Sequence, residues 1–215
     1  MQTQQQVSPQ VIAEIAKEVV ARLRMQMQTA SAAQTPKLAV ARDGVFATVD
    51  EAVNAAYEAQ KKVAAMPLED RKRIIDIICR ICNDRREELG KMELEETKVG
   101  RLDHKILKLT NMKFVLGVDA LHTEARSNTT GLCIIEHAPW GVIGMMLPVT
   151  HSVPTMASNA INIVAAGNTA VFGPHPSGAN VAKYALQLWN REIERELGFG
   201  NVFTTTLEPT IEAAE

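Results

Sequence analysis

Residues 137–145 have the sequence HAPWGVIGM, residues 165–168 the sequence AAGN and residues 173–176 the sequence GPHP. The apolar run from Gly141 to Leu147 predicts a strand that is buried on both faces. Gly167-Asn168 is typical of a helix end, so the second segment closes a helix that lies between this strand and the next. Together the segments predict two parallel strands joined by a right-handed helical crossover.

The same alternation continues toward the end of the sequence. The pattern predicts a strand at 169–172, a long helix that Ser177 caps and Gly198 ends, and a third strand at 201–206. Alternating strands and helices of this kind form an open parallel sheet. We therefore predict an α/β fold, in which N-terminal helices are followed by half of a Rossmann-like parallel sheet.

Four regions are expected along the chain. Residues 1–27 predict an amphipathic helix, with Ser8 as its cap. Residues 28–43 are rich in Ala, Gln and Thr and predict a linker. Residues 44–130 predict a helical region, and residues 131–215 a partial dinucleotide-binding domain. The first helix either docks on its own domain or binds a partner protein, and both interpretations stay open.

The composition argues against several classes of partner. A net charge of −2 and an aromatic content of 4% do not favour nucleic acid binding. No apolar run approaches the roughly 20 residues of a membrane span, and no secretory signal is apparent, so no membrane partner is expected. The low cysteine count is typical of a reducing compartment. The CxxC at Cys79 and Cys82 lies in an isoleucine-rich helical pattern, which favours core thiols over a metal site, and no metal site is expected.

Two loops are candidates for a ligand site. They are residues 148–153 and 173–178, each of which follows a predicted strand. Ligands of open parallel sheets bind beyond the carboxyl ends of the strands. Each loop leads into a helix N-terminus, where free N–H groups favour an anion such as phosphate. Because GxGxxG is absent, this pattern alone leaves nucleotide binding and plain structural turns as equal alternatives.

Three segments carry a resemblance to a known family. They are EHAPWGVIG at 136–144, NAINIVAAGNTAVFGPHP at 159–176 and the looser VFATVDEAVNAAYEAQKKV at 45–63. They resemble the CoA-acylating aldehyde dehydrogenases of bacterial microcompartments, which process propionaldehyde or acetaldehyde. The resemblance implies the aldehyde dehydrogenase fold, NAD as cofactor, CoA as co-substrate, a small aldehyde substrate and a homo-oligomer. Residues 1–27 resemble peptides that target such enzymes to shell proteins, which implies a cytoplasmic location inside a microcompartment.

The resemblance also implies site residues. In the family a cysteine thiolate attacks the aldehyde, and a backbone N–H and an asparagine stabilise the oxyanion. Thr150 and His151 stand near that asparagine position. His151 is therefore the predicted catalytic residue, against the alternative of a solvent-facing loop histidine. The predicted cofactor-binding residues are Pro148, Thr150, His175, Pro176 and Ser177. His175 has the alternative of a simple turn residue.

Cys79, Cys82 and Cys133 do not match the catalytic segment of the family. The nucleophile and the glycine loop of the cofactor site are therefore expected beyond Glu215, and we expect a truncated enzyme that is inactive by itself. The alternative is a non-catalytic assembly or encapsulation module, which would bind shell proteins or full-length subunits. A third interpretation, a non-acylating dehydrogenase fragment, is disfavoured by GPHP at 173–176, where many acid-forming relatives place a lysine.

Overall fold

The structure is a computed structural model that describes residues 43–210. The predicted helix at 1–27 and all of the predicted linker except Asp43 lie outside the described residues. The helices and strands, in chain order, are β1 (Val45–Phe46), α1 (Val49–Ala65), α2 (Leu68–Asp84), α3 (Arg86–Thr97), α4 (Leu102–Thr110), β2 (Glu124–Asn128), β3 (Gly131–Ile135), β4 (Val142–Leu147), α5 (Ser152–Ala165), β5 (Thr169–Pro174), α6 (Ala179–Leu197) and β6 (Phe203–Thr206). None of these helices is sufficiently long and apolar to span a membrane.

A four-stranded parallel sheet forms the centre of the described region. Its strand order is β1-β6-β5-β4. In the register of β4 and β5, Val142 lies opposite Thr169 and Leu147 lies opposite Pro174. The predicted α/β fold with consecutive parallel strands is therefore confirmed, and the carboxyl ends of β4 and β5 meet at the same edge of the sheet.

The AAGN and APWG motifs meet at the amino end of this strand pair. The side-chain oxygen of Asn168 accepts hydrogen bonds from the backbone N–H groups of Trp140 at 2.6 Å and Gly141 at 2.8 Å. Asn168 is 4% exposed, so these bonds are largely shielded from water. Both motifs therefore help to fix where β4 begins relative to α5.

Helix α1 covers one face of the sheet. A capping box at Thr48 and Glu51 starts this helix, as the sequence predicts. The hydroxyl of Thr204 donates to the carbonyl of Ala52 at 3.0 Å, and that of Thr169 donates to the carbonyl of Ala56 at 2.9 Å. Small residues on the helix permit this close approach, so two strand hydroxyls are satisfied without water.

The opposite face carries the larger core, which α2, α5 and α6 cover. Trp189 of α6 packs edge-to-face on Phe203 with ring centroids 5.9 Å apart. Phe172 lies beside Phe203 on the same face. Both thiols of the CxxC segment lie on α2, with Cys82 buried in the core and Cys79 half-buried.

Several elements differ from the sequence predictions. Strand β4 is not buried on both faces, because it is the outer strand and its Met146 side chain is 58% exposed. Within the region predicted as helical, α4 ends at Thr110, and two 3₁₀ turns follow it. The region predicted as helical also contains strands β1 and β2. Strands β2 and β3 form a separate antiparallel hairpin whose residues are all exposed.

Candidate functional site

The loops that follow β4 and β5 come together at the carboxyl edge of the sheet. The backbone N–H of His175 donates to the carbonyl of Leu147 at 3.2 Å, which continues the pairing beyond the strands. Gly178 then lies directly against the hydroxyl of Ser152, where any Cβ on residue 178 would overlap it. The structure thus places Thr150 and His175 on the same edge of the sheet.

The predicted cofactor-binding residues all lie on the surface of these two loops. Pro148, Thr150, His175, Pro176 and Ser177 are exposed. Nδ1 of the His175 ring accepts the backbone N–H of Ser177 at 3.1 Å, so this histidine orders its own turn. Ser177 is not the cap of α6, which begins at Ala179.

The N-terminus of α6 is already occupied by a carboxylate. The two oxygens of Glu96 accept the backbone N–H groups of Asn180 at 2.9 Å and Val181 at 2.8 Å. A carboxylate at this position satisfies two of the free donors and interacts favourably with the positive end of the helix dipole. The expectation that this helix N-terminus binds phosphate is therefore wrong, because Glu96 from α3 takes that place.

A buried ion pair lies beneath the loop after β4. Nζ of Lys105 is 2.9 Å from an oxygen of Glu93, and the two side chains are 3% and 0% exposed. The same ammonium donates to the carbonyl of Thr150 at 3.3 Å. The second carboxylate oxygen of Glu93 is buried and has no hydrogen-bond partner among the described residues. This pair attaches the loop to helices α3 and α4.

This ion pair was not among the sequence predictions. One signal was available. Leu89, Glu93 and Thr97 are spaced four residues apart, so they share one face of α3, and all three are buried. A carboxylate between an apolar and a small residue on the inner face of a helix indicates a buried partner of opposite charge.

His151 is half-buried beside this loop. Its Nδ1 lies 2.8 Å from the hydroxyl oxygen of Thr150. Burial lowers the pKa of His151 below its ordinary value, and the positive charge of Lys108 lowers this pKa further. The imidazole is therefore neutral near pH 7, with one nitrogen engaged by the neighbouring threonine.

We expect His151 to make the stability of the protein sensitive to acid. Its folded pKa is lowered from the unfolded value of about 6.5, so below that pH the unfolded chain binds the proton first. The stabilisation from a neutral His151 is present above about pH 6.5 and is lost as the pH falls through the folded pKa. The His151→Asn variant should lose less stability than wild type in urea unfolding between pH 7.5 and 5.

The exposed His122, which is part of no ion pair within residues 43–210, provides the control for this measurement. The His122→Asn variant should keep the acid sensitivity of the wild type. Parallel stability curves for wild type and His151→Asn across this pH range would contradict the assignment.

A groove of about 620 Å³ extends from these loops along the α1 side of the sheet, beside that helix. Its wall includes Val142, Gly144 and Met146 of β4, Val171 and Gly173 of β5, and Val53 of α1. A side chain at residue 173 would have to displace the flexible end of the Met146 side chain, which lies directly against Gly173. The groove reaches His175 and Pro176 at the edge of the sheet.

Neither of the two loops contains a cysteine. Cys79 and Cys82 lie on α2, and Cys133 lies on the hairpin. Burial raises the pKa of both helical thiols, so these groups stay protonated and unreactive. Among residues 43–210, no group of three or more acidic, histidine or cysteine side chains could hold a metal ion.

Comparison with known proteins identifies the family. Residues 19–210 match the aldehyde dehydrogenase family. The chain is 34% identical over 93% of its length to the acetylating acetaldehyde dehydrogenase of Escherichia coli K12, of which it covers 42%. A propionaldehyde dehydrogenase from the Clostridium phytofermentans fucose utilisation microcompartment superposes with a TM-score of 0.78 at 35% identity, covering 80% of this chain and 40% of that one.

A propionaldehyde dehydrogenase of Rhodopseudomonas palustris, solved with bound CoA and an acylated cysteine, superposes with a TM-score of 0.77 at 36% identity, covering 80% of this chain and 40% of that one. The chain spans less than half the length of each of these relatives, and they share its arrangement of helices and parallel sheet. It belongs to the aldehyde dehydrogenase family, and the relatives it resembles are CoA-acylating enzymes.

Proposed function

We propose that this chain forms the first part of an enzyme that converts a small aldehyde, NAD and CoA to acyl-CoA and NADH. The observation that carries the proposal is the meeting of two loops at the carboxyl edge of a parallel sheet. Thr150 and His151 lie on one loop and His175 on the other, and Gly178 packs against Ser152 between them. Open parallel sheets bind their ligands at this edge.

NAD would accept the hydride, and its adenosine part would lie in the groove beside α1. The groove volume of about 620 Å³ lies within the range of small-molecule sites. Strand β4 has no neighbour on its outer side within residues 43–210. In open parallel sheets, the ligand crevice forms where consecutive connections run to opposite sides of one strand. The chain runs from β4 to β5 on one side of β4. Further strands on the other side of β4 would create such a crevice beside Pro148 and Thr150. The diphosphate of NAD would have to bind to residues other than those at the N-terminus of α6, because Glu96 already caps that helix.

His151 would stabilise the oxyanion that forms when a thiolate attacks the aldehyde. We assign the Thr150 hydroxyl as the donor to Nδ1, which leaves the proton of the neutral ring on Nε2. The Nε2–H would then take the part of the oxyanion donor that the resemblance assigns to an asparagine N–H. The thiolate would come from a segment other than the two loops, since Cys79, Cys82 and Cys133 lie elsewhere.

A chimera tests this function. We expect no NADH formation from propionaldehyde, NAD and CoA by the purified 215-residue chain. Joined to the matching second part of the Escherichia coli relative, the chain should form NADH in a CoA-dependent reaction. Turnover by the chain alone would contradict the assignment of the nucleophile. A folded chimera that binds NAD but gives no acyl-CoA would contradict the function itself.

We further propose that residues 1–27 tether the enzyme to microcompartment shell proteins in the cytoplasm. The support is the amphipathic pattern of this segment and the similarity to a microcompartment dehydrogenase. Deletion of residues 1–28 should abolish co-purification with shell proteins and leave the urea unfolding midpoint of the α/β region unchanged. Retained co-purification would contradict the tether.

One observation favours the second candidate function, a non-catalytic assembly module. The β2–β3 hairpin exposes large apolar side chains, with Leu132 66% and Ile134 60% exposed, and the following Trp140 is 92% exposed. Contiguous exposed apolar side chains mark interaction surfaces. We propose that these side chains mediate assembly into a homo-oligomer. A monomer in sedimentation velocity at micromolar concentration would contradict it.

A further inference from the structure

A second groove, of about 320 Å³, lies between the end of α4 and the first turns of α5, and His151 forms part of its wall. The other polar wall residues are Lys108, Asn111, Thr155, Ser158 and Asn159. Only Met112 and Pro154 add apolar surface to the wall. No aspartate or glutamate of the described region lines the groove. It is thus a polar site adjoining the candidate catalytic residue.

The charge of the groove is positive and not neutralised by the protein. Lys108 is exposed, and none of the ion pairs within residues 43–210 includes it. The neighbouring ammonium of Lys105 already pairs with Glu93 in the interior. Lys108 is therefore available to a ligand, and an anion in the groove would meet no repelling carboxylate.

The geometry points to a small aldehyde with an anionic group, such as a carboxylate, as the substrate class, and to Lys108 as the residue that selects it. This inference rests on the proposed function, because His151 makes the groove part of an active site. A volume of 320 Å³ corresponds to about ten water molecules at about 30 Å³ each, which is sufficient for a small aldehyde. A purely apolar chain would cover Lys108 and the amide groups without giving them hydrogen bonds, which is unfavourable.

Binding of two matched probes to the 215-residue chain tests this inference. The probes are 4-hydroxybutanoate and 1-butanol, which have the same number of carbons and lack the reactive aldehyde. In ¹⁵N-¹H NMR titrations, 4-hydroxybutanoate should shift the amide signals of Asn111, Thr155 and Asn159 saturably. Its affinity should exceed that of butanol by about fivefold, as expected for one charge near the protein surface, and should fall in 0.5 M NaCl.

The variant Lys108→Met should lower the affinity for 4-hydroxybutanoate about fivefold and leave that for butanol unchanged. Lys98→Met is the matched control, because Lys98 is also exposed and outside all ion pairs of the described region. Equal affinity for the two probes, or an unchanged affinity in Lys108→Met, would overturn the inference. Because no turnover is measured, an inactive chimera would contradict the proposed function without affecting this result.

Discussion

Replacing Lys105 with methionine is expected to lower the free energy of unfolding by about 3–5 kcal/mol. The substitution leaves the Glu93 carboxylate, whose side chain is 0% exposed, without its cation. The protein would have to bury an uncompensated charge or protonate it, and either costs free energy. Urea denaturation measures the effect as a lower midpoint at an unchanged slope.

Two further variants show whether the loss of stability comes from the unpaired carboxylate or from replacing a lysine side chain with methionine. Lys108→Met alters an exposed lysine on the same helix and should change stability by no more than about 0.5 kcal/mol. The double variant Glu93→Met and Lys105→Met should recover most of the loss, because it removes the unpaired charge together with its partner. A single Lys105→Met variant as stable as wild type would contradict the assigned ion pair.

The double variant also isolates what the ion pair does for the candidate site. The double variant buries neither charge of the pair. The carbonyl of Thr150, however, no longer accepts the hydrogen bond that the Lys105 ammonium donates at 3.3 Å in the wild type. We therefore expect a stable protein whose 148–151 loop is less well ordered. The pair thus links the interior of the helical layer to the position of His151.

The parallel sheet could be predicted from the sequence because its signals are local. Gly167-Asn168 stops α5 immediately before β5, and Gly198 in a left-handed conformation ends α6. Thr48 and Glu51 form the capping box that their spacing predicts. Each of these devices acts within a few residues, so the sequence alone contains the information.

Contacts between distant segments could not be predicted in this way. Glu96 caps a helix that begins more than 80 residues later, and no local pattern specifies that pairing. The open face of β4 was missed for a related reason. An apolar run indicates that a strand prefers burial, but whether Met146 is covered depends on which elements lie beside it.

The largest effect on activity is expected at His151. In the active chimera, His151→Ala should lower kcat by about 10²–10³, the usual cost of losing one oxyanion donor. His151→Asn should retain most of the activity, because an amide N–H can donate in place of the Nε2–H. Initial rates of NADH formation at saturating aldehyde, NAD and CoA measure kcat for both variants.

If His151 were only a loop residue without a role in catalysis, His151→Ala and His151→Asn would have the same kcat. Thr150→Val helps to separate the two, since it keeps the size of the side chain and removes the hydroxyl that lies 2.8 Å from Nδ1. If that hydroxyl selects the Nε2–H tautomer, kcat should fall in Thr150→Val when residue 151 is histidine and stay nearly constant when it is asparagine, because an amide has no tautomer to select. Equal losses in both backgrounds would show that Thr150 acts on the backbone of the loop and not through the imidazole.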